Sequence, residues 1–327
     1  MQIIRIPITA MQGFRIGNAQ DYDAMTGVTV ILLDNDNRAG VGVFGGGPAM
    51  RENMLLSPYT STHPLNAIVL SGGSAFGLDA AGGVMHYLEE RGKGYAVRGN
   101  IVPLVCQSSI FDLTLGNPKV RPDADMAYAA CLNAELNRPI SGMFGAGCGA
   151  TVGKICGIER AFKSGVGYFA IRLGDLQIAA VTVVNAFGDV RDPLSGQIIA
   201  GALDENRRAF IDTESEMLRL AGADALPLPE EGGNTTLSVI LTNAAFDKSD
   251  MNRIARMASG AYDRCIFPNG TSYDGDTIYA VSIAPYITAD YNLVGTLAVQ
   301  VLSEAILDAV KNSYMEESIF LQKARHA

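Results

Sequence analysis

GGNTTLSVILTN, residues 232–243, is the stretch from which the rest of the chain can be interpreted. Two glycines and an asparagine precede a pair of threonines, and the apolar, β-branched run that follows is typical of a buried strand. A threonine at a Gly-Gly-Asn junction is what a protein needs if it cuts its own backbone and exposes a new N-terminal nucleophile. An ordinary loop that leads into a strand fits the same residues, so the local sequence leaves both interpretations open.

The supply of general bases favours the first interpretation. The chain has three histidines, His63, His86 and His326. Serine and cysteine nucleophiles usually need a histidine on a formed element. His63 lies in a predicted loop, His326 lies at the C-terminus, and His86 lies in a predicted helix of small residues, where a partly buried structural histidine is the commoner case. An N-terminal threonine avoids this need, because its own α-amino group, with a pKa of about 7.7–8.0, is partly neutral near pH 7 and can take the hydroxyl proton.

Composition and charge exclude several classes of protein. The net charge of −9 disfavours nucleic acids and anionic membrane surfaces as partners. The five cysteines show no C-x-x-C spacing, which argues against both a disulfide framework and a zinc site. Neither a signal peptide nor an apolar run of about 18 residues is present. We therefore expect a soluble cytoplasmic protein with reduced thiols.

The length of 327 residues fits about two domains or one large layered domain, and we expect one layered domain across residues 1–327. Hydrophobic residues make up 48% of the chain and aromatic residues only 7%, so the core is expected to rely on aliphatic side chains and close glycine contacts. Strands and helices alternate irregularly, which predicts an α+β fold of sheets covered by outer helices. Strands are expected at residues 66–70, 167–171, 177–185, 236–242 and 277–283, and helices at 75–90, 123–136, 205–220, 248–262 and 291–312.

Three local features complete this prediction. Residues 28–32 and 40–44 flank the turn-forming run at 34–37, which predicts a β-hairpin. Ser74 is the expected N-cap of the helix at 75–90. Residues 221–233 contain two prolines and three glycines, and we expect a linker there that ends just before Thr235.

The glycine-rich run GAGCGATVGK, residues 145–154, invites a nucleotide-binding interpretation. It does not match a Walker A loop, because Cys148 stands where a glycine is required and Ile155 where Ser or Thr is required. It also lacks the preceding strand and the later acidic residue of a dinucleotide site. Close backbone packing explains the glycines better, and we assign no cofactor. It does not explain Lys154, which is either a solvated strand end or a functional group.

Two further motifs carry candidate functional side chains. Asp274 and Asp276 flank a glycine, and residues two apart on an extended backbone share a face, so both carboxylates are able to point to one place. A solvated turn is the simpler interpretation of the same motif. Asn185 ends a predicted strand, where it is either a turn former or a donor to an oxyanion.

Taken together, these motifs resemble the self-processing aminopeptidases related to L-aminopeptidase/D-esterase and β-peptidyl aminopeptidases. The matching motifs are GGNTTLSVILTN (232–243), SGGSAFGLDAA (71–81), GAGCGATVGK (145–154), VNAFGD (184–189) and DGDT (274–277). Within that group they look most similar to the nylon-oligomer hydrolases that cleave 6-aminohexanoate oligomers. Serine-type β-aminopeptidases have Ser-Gly-Glu where this chain has Asp274-Gly275-Asp276.

The resemblance implies a four-layer α-β-β-α sandwich, of the N-terminal-nucleophile-hydrolase type shared with ornithine acetyltransferases. It also implies cleavage between Asn234 and Thr235 into residues 1–234 and 235–327, which stay associated in a homo-oligomer, expected to be a tetramer. The enzyme would hydrolyse small peptides, β-peptides or ω-amino-acid oligomers through an acyl-threonine intermediate. Carried over by motif, the catalytic residues are Thr235, Lys154, Asn185, Asp274 and Asp276.

The residue chemistry adds one hypothesis and leaves two alternatives. Two neighbouring carboxylates do not both ionise freely without a nearby cation, so we expect Lys154 to pair with Asp274 or Asp276. An acyltransferase of the ornithine acetyltransferase type is the first alternative, with an amine instead of water resolving the acyl-Thr235. A non-catalytic binding protein with a vestigial site is the second.

Overall fold

Runs rich in Val, Ile and Leu form the strands of this protein, and segments with apolar residues at helical spacing form its helices. The structure, a computed structural model, describes residues 2–34, 36–222 and 233–325. Its strands are β1 (Ile3–Arg5), β2 (Phe14–Asp21), β3 (Thr26–Leu33), β4 (Asn37–Val43), β5 (Ala49–Arg51), β6 (Ala67–Ser71), β7 (Tyr95–Val97), β8 (Asn100–Val102), β9 (Val105–Ser109), β10 (Thr151–Val152), β11 (Phe162–Lys163), β12 (Val166–Leu173), β13 (Leu176–Asn185), β14 (Asp189–Arg191), β15 (Ile198–Ala200), β16 (Thr235–Ala244), β17 (Ile266–Phe267) and β18 (Thr277–Ile287). Its helices are α1 (Ala81–Glu89), α2 (Ala124–Ala134), α3 (Thr213–Gly222), α4 (Lys248–Ala258), α5 (Gly260–Cys265), α6 (Tyr291–Lys311) and α7 (Glu317–Arg325).

Two stacked sheets carry the fold. The six-stranded sheet has the order β1-β12-β13-β16-β18-β4, and its β16–β18 pair is parallel while its other pairs are antiparallel. The five-stranded sheet has the order β2-β3-β6-β9-β5, with a parallel β6–β9 pair. The long strands β13, β16 and β18 thus lie side by side, so the edge of the sheet where β13 ends and the other two begin collects the predicted site residues.

Side-chain alternation gives each sheet two buried faces. Along β16, Leu237, Val239 and Leu241 pack against the five-stranded sheet, whereas Ile240 packs beneath α4 and α6. Helices α1 and α2 cover the outer face of the five-stranded sheet. The layers therefore follow the order helix, sheet, sheet, helix, and the predicted four-layer α-β-β-α sandwich is confirmed.

Glycines allow the helices to rest directly on strand backbone. A Cβ added to Gly167 of β12 would lie 2.1 Å from the carbonyl oxygen of Ala305 in α6, and one added to Gly17 of β2 would lie 2.0 Å from that of Ala130 in α2. Both distances are far below van der Waals contact. The expectation of close glycine contacts is met at the interfaces between helix and sheet.

The hairpin predicted across residues 34–37 is wrong. Strand β3 pairs with β2 and β6 in the five-stranded sheet, whereas β4 pairs with β18 in the six-stranded sheet. The true hairpin joins β2 to β3, which pair along their whole length. The chain after Leu33 crosses from the five-stranded to the six-stranded sheet, where β4 pairs with the edge of β18 that β16 leaves open.

Two helix starts also differ from the predictions. Ser74 has a φ of +54° and begins a 3₁₀ helix, and α1 starts only at Ala81, so Ser74 is not its N-cap. The helix predicted at 205–220 starts at Thr213, whose N–H and hydroxyl both donate to the buried carboxylate of Asp189. Most of the predicted linker, residues 223–232, lies outside the described residues.

Within the described residues, α6 is long and apolar enough to cross a membrane. In this fold 67% of its most apolar window is buried, against β12, β13 and α4. The apolar residues of α6 therefore form part of the core between the helical layer and the six-stranded sheet.

Candidate active site

Strand pairing brings Asn185 and Thr235 together. Asn185 is the last residue of β13, Thr235 is the first residue of β16, and the antiparallel register places them directly opposite each other. Alternation directs both side chains into the space between the sheets, the side on which Val183 and Leu237 are packed. Thr236 falls on the opposite face, so only Thr235 shares a site with Asn185.

The peptide bond between Asn234 and Thr235 is held by a parallel bridge to residues 273–275. The Asn234 N–H donates to the Tyr273 carbonyl at 3.0 Å, and the Asn234 carbonyl oxygen accepts from the Gly275 N–H at 2.8 Å. The Thr235 hydroxyl donates to the same carbonyl oxygen at 2.5 Å. A nucleophilic oxygen and a main-chain donor therefore meet at one carbonyl group, which is the arrangement that acyl transfer requires.

The Asn185 side chain is buried and its amide orientation is defined by its partners. The amide oxygen accepts from the Thr151 N–H at 3.0 Å and from the Lys154 ammonium at 2.8 Å. The amide nitrogen donates to the Phe111 carbonyl at 2.9 Å. Because this nitrogen carries two protons, one N–H remains for a further acceptor.

Lys154 lies in the site, but not in the ion pair that we expected. Its ammonium also donates to the main-chain carbonyl of Asn185 at 3.1 Å, and within the described parts of the chain no carboxylate forms an ion pair with it. The carboxylate of Asp274 is already occupied by other donors. Burial lowers the pKa of Lys154 to about 7, against the opposing effect of the Asp274 charge.

The two aspartates of the DGD motif are both buried, and each has its own donors. Asp274 accepts from Thr271 through its N–H at 3.0 Å and its hydroxyl at 2.7 Å, and from the Phe187 N–H at 3.3 Å. Asp276 accepts from the Thr236 N–H at 2.6 Å and the Gly270 N–H at 3.2 Å. Burial and the neighbouring Asp274 charge raise the pKa of Asp276 to about 7.

These contacts tie the motifs to one another. Asp276 accepts a hydrogen bond from Thr236, the residue after the candidate nucleophile. Asp274 accepts one from Phe187, which follows β13. The five predicted site residues are thus gathered at one edge of the six-stranded sheet. The solvated-turn interpretation of the DGD motif is wrong, since Asp274 and Asp276 are each 1% exposed.

The glycine-rich run has the structural role that the sequence favoured. A Cβ on Gly147 would lie 2.2 Å from the Val166 nitrogen, and one on Gly149 would lie 2.1 Å from the Met25 carbonyl oxygen. The run packs closely against neighbouring backbone and delivers Lys154 and the Thr151 N–H to Asn185.

Sequence reasoning missed the main-chain groups of the site. The N–H of Gly275 and the carbonyl of Phe111 contact Asn234 and Asn185, but main-chain groups carry no residue-type signal. The glycine between the two aspartates was the one available hint. A Cβ on Gly275 would lie only 2.8 Å from the Thr235 hydroxyl oxygen, so the position requires glycine.

The site is closed in this chain. Thr235 is 4% exposed and Asn234 2% exposed, and the side-chain amide of Asn234 has no hydrogen-bond partner in the described parts of the chain. An unpaired buried amide destabilises the state that contains it. Because both residues are buried in the intact chain, an external substrate does not reach the Thr235 hydroxyl while Asn234 is attached to it.

A comparison with known families decides the class of this chain. The sequence pattern described as peptidase family S58 matches residues 7–319. The chain belongs to peptidase family S58. It is accordingly a hydrolase that acts on amide bonds, and the recognition of an aminopeptidase-related family from its motifs is confirmed.

Curated relatives of this S58 family member include aminopeptidases and 6-aminohexanoate-oligomer endohydrolases. An uncharacterised aminopeptidase of Mycobacterium tuberculosis is 35% identical, and the alignment covers 94% of both chains. A 6-aminohexanoate-oligomer endohydrolase of Kocuria sp. is 31% identical, over 91% of this chain and 84% of that relative. The identities are similar, so they do not choose between the two kinds of substrate.

Solved structures agree on the fold. The L-aminopeptidase D-Ala-esterase/amidase of Ochrobactrum anthropi, described as a variant of the Ntn hydrolase fold, superposes with a TM-score of 0.66 at 17% identity. That match covers 98% of this chain and 94% of the other. A β-aminopeptidase of Burkholderia sp. superposes with a TM-score of 0.64 at 19% identity, over 97% and 93% of the two chains.

Proposed function

We propose that this protein cuts its own chain between Asn234 and Thr235 and then works as an N-terminal-threonine amidohydrolase. The observation that carries the proposal is the meeting of two groups at the Asn234 carbonyl, the Thr235 hydroxyl at 2.5 Å and the Gly275 N–H at 2.8 Å from its oxygen. Cleavage yields residues 1–234 and 235–327.

Self-cleavage proceeds by an acyl shift. The Thr235 hydroxyl oxygen attacks the Asn234 carbonyl carbon, and the Gly275 N–H stabilises the negative charge on the carbonyl oxygen. The bond from carbon to nitrogen then breaks, and the Thr235 nitrogen receives the proton that the hydroxyl has lost. Water hydrolyses the resulting ester, which leaves a carboxylate on Asn234 and a free α-amine on Thr235.

The mature enzyme repeats this chemistry on a substrate amide. The Thr235 α-amine accepts the hydroxyl proton, since about half of such amines are neutral near pH 8. The threonine oxygen attacks the substrate carbonyl, the leaving amine takes the proton, and water releases the acyl group. The free N–H of Asn185 stabilises the oxyanion, and Lys154 holds the amide oxygen of Asn185 away from it.

Small peptides, β-peptides or ω-amino-acid oligomers of the nylon type are the proposed substrates. The names of the relatives, aminopeptidase and 6-aminohexanoate-oligomer endohydrolase, support this range. Release of 4-nitroaniline from L-aminoacyl-4-nitroanilides, compared with release of amine from 6-aminohexanoate oligomers, measures which group is preferred. Failure to hydrolyse either set would contradict the proposed range.

Intact mass spectrometry of three purified proteins tests the nucleophile. The wild type and Thr236→Ala are expected to give two polypeptides, 1–234 and 235–327, and Thr235→Ala a single chain of full length. Thr236 is the matched control, because it is the adjacent threonine and faces the other side of the sheet. Two polypeptides from Thr235→Ala would refute the proposal.

We also propose a cytoplasmic homotetramer. All five cysteines are free thiols, four of them buried, which suits a reducing compartment. The tetramer rests on the family resemblance alone, and light scattering coupled to size-exclusion chromatography measures it directly. A monomeric mass at micromolar concentration would contradict it.

A further inference from the structure

Two buried charged side chains outside the proposed catalytic set lie directly behind the partners of Asn185. Asp112 follows Phe111, whose carbonyl accepts from the Asn185 amide nitrogen. Lys163 lies opposite Thr151 in the β10–β11 pair, and the Thr151 N–H donates to the Asn185 amide oxygen. Burying a charge is costly unless it is well solvated by the protein, so each residue calls for an explanation.

Lys163 fixes the turn that precedes Thr151. Its ammonium donates to the main-chain carbonyls of Ala150 at 2.7 Å, Gly147 at 3.2 Å and Ser164 at 2.6 Å. Ala150 immediately precedes Thr151, and Gly147 stands four residues before it in the same glycine-rich run. With the turn held in this way, the Thr151 N–H is aimed at the amide oxygen of Asn185.

Asp112 fixes the other partner of the amide. Its carboxylate accepts from the Gly73 N–H and from the Thr26 hydroxyl, both at 2.7 Å, which anchors the segment that presents the Phe111 carbonyl. Asp112 also lies against the turn held by Lys163, because a Cβ on Gly149 would lie 2.8 Å from a carboxylate oxygen of Asp112. The two anchors therefore meet at the same turn.

We propose that Lys163 and Asp112 are positioning residues that act through Asn185. Together they place an acceptor on one side of its amide and a donor on the other, which fixes which end of the amide faces the reacting carbonyl. An amide rotated by half a turn would present an oxygen to the developing oxyanion in place of an N–H. This inference rests on the oxyanion role proposed above for Asn185.

Lys163→Met removes the clamp while keeping a long side chain. Turnover of an L-aminoacyl-4-nitroanilide is expected to fall in kcat by about 10- to 100-fold with a small change in KM, the loss typical of a misplaced catalytic group. Self-cleavage of newly made chains, followed by gel during cell-free translation, is expected to keep its wild-type rate, because the Gly275 N–H serves the oxyanion of that step. Wild-type kcat in folded Lys163→Met would overturn the proposal.

Lys248→Met is the matched control, because Lys248 is another buried lysine that solvates its charge with loop oxygens, those of Leu55, Ser57, Thr60 and Ser61. It follows the far end of β16, about 30 Å along the strand from Thr235. We expect it to lower the melting temperature and to leave kcat unchanged. An equal loss of kcat in both variants would show that Lys163 acts only through general stability.

A double-mutant comparison separates this inference from the proposed function. In the Asn185→Ala background, Lys163→Met is expected to lower kcat by less than about threefold further, because coupled residues are not additive. A full further loss would overturn the positioning role and leave Asn185 in place. Wild-type kcat for Asn185→Ala alone would refute the role of Asn185 itself. Should Lys163→Met not fold, Asp112→Asn, which keeps size, takes its place in the same comparisons.

Discussion

Gly275 serves the cleavage junction in two ways that both depend on its lacking a side chain. Its N–H donates to the Asn234 carbonyl, and its α-carbon lies close enough to the Thr235 hydroxyl to exclude a methyl group. At the residue scale, the chemistry of the junction thus depends on one main-chain N–H and on the absence of one side chain.

Gly275→Ala is expected to slow self-cleavage by at least about 10-fold, because the new Cβ would lie 2.8 Å from the Thr235 hydroxyl oxygen and 2.7 Å from the Gly47 carbonyl oxygen. The fraction of full-length chain during cell-free translation measures the rate. Gly82→Ala in α1 is the control, since nothing lies within 4 Å of its added Cβ. Equal cleavage rates for the two variants would contradict the proposed geometry.

Lys154 is expected to destabilise the fold in a pH-dependent way. Its pKa falls from 10.5 to about 7 on folding, so the cost of the buried ammonium is full below pH 7 and shrinks as the pH rises towards 10.5. Lys154→Met should therefore gain stability relative to wild type at pH 6, by a few kcal/mol at about 1.4 kcal/mol per pKa unit, and lose that gain by pH 10.

Urea denaturation at several pH values measures this difference. Hydrogen bonds to Asn185 are lost at every pH, so the change with pH reports the Lys154 ammonium together with Asp276, whose pKa the Lys154 charge lowers. Lys119→Met, at an exposed position, should show no such change. A stability difference between Lys154→Met and wild type that is constant from pH 6 to pH 10 would argue against a lowered pKa for the buried Lys154 side chain.

At the scale of elements, the packing of α6 on the six-stranded sheet depends on a strand glycine. Gly167→Ala places a Cβ 2.1 Å from the Ala305 carbonyl oxygen, so helix and sheet must separate, which typically costs about 1–3 kcal/mol. Gly295→Ala in α6 is the control, because its Cβ would meet the flexible end of Met257. Thermal unfolding of both variants tests this, and an equal melting temperature would count against it.

Elements were the part of the fold that the sequence predicted best. The apolar run after Thr235 and the strand that ends at Asn185 were expected from periodicity, and both formed. The assignment of β3 and β4 to different sheets was missed, because a turn-rich run at residues 34–37 looks the same whether the next strand pairs with its neighbour or crosses to another sheet. Pairing partners are decided by distant strands, which local sequence does not record.

In the site, too, the sequence predicted some features and not others. Motif resemblance identified the side chains of Asn185 and Lys154, and the structure brings them into contact. It did not reveal Lys163 or Asp112, since a buried charge that serves backbone groups has no motif of its own. The expected ion pair of Lys154 was wrong, because main-chain and threonine donors had already satisfied Asp274.

At the scale of the whole molecule, the two proposed cleavage products share one sheet. Residues 235–327 contribute β16 and β18, which lie between β13 and β4 from residues 1–234. Each product therefore supplies strands that the other must pair with, and helices α4, α5 and α6 of the second product pack on strands of both.

The two products are expected to stay together after cleavage. Size-exclusion chromatography in native buffer should give one peak that contains both polypeptides, and the pair should separate only in denaturant. Free 235–327 in native buffer would contradict the interleaved sheet, whereas a single intact polypeptide would contradict the cleavage itself.

The parallel bridge at the scissile bond has a consequence for the life of the protein in the cell. Tyr273 and Gly275 reach Asn234 only after β16 and β18 have come side by side, so the groups that break the bond do not meet in an unfolded chain. On the proposed mechanism, cleavage between Asn234 and Thr235 therefore occurs only in a chain that has folded. A chain that misfolds keeps Thr235 as an internal residue without a free α-amine, and it therefore has no hydrolytic activity.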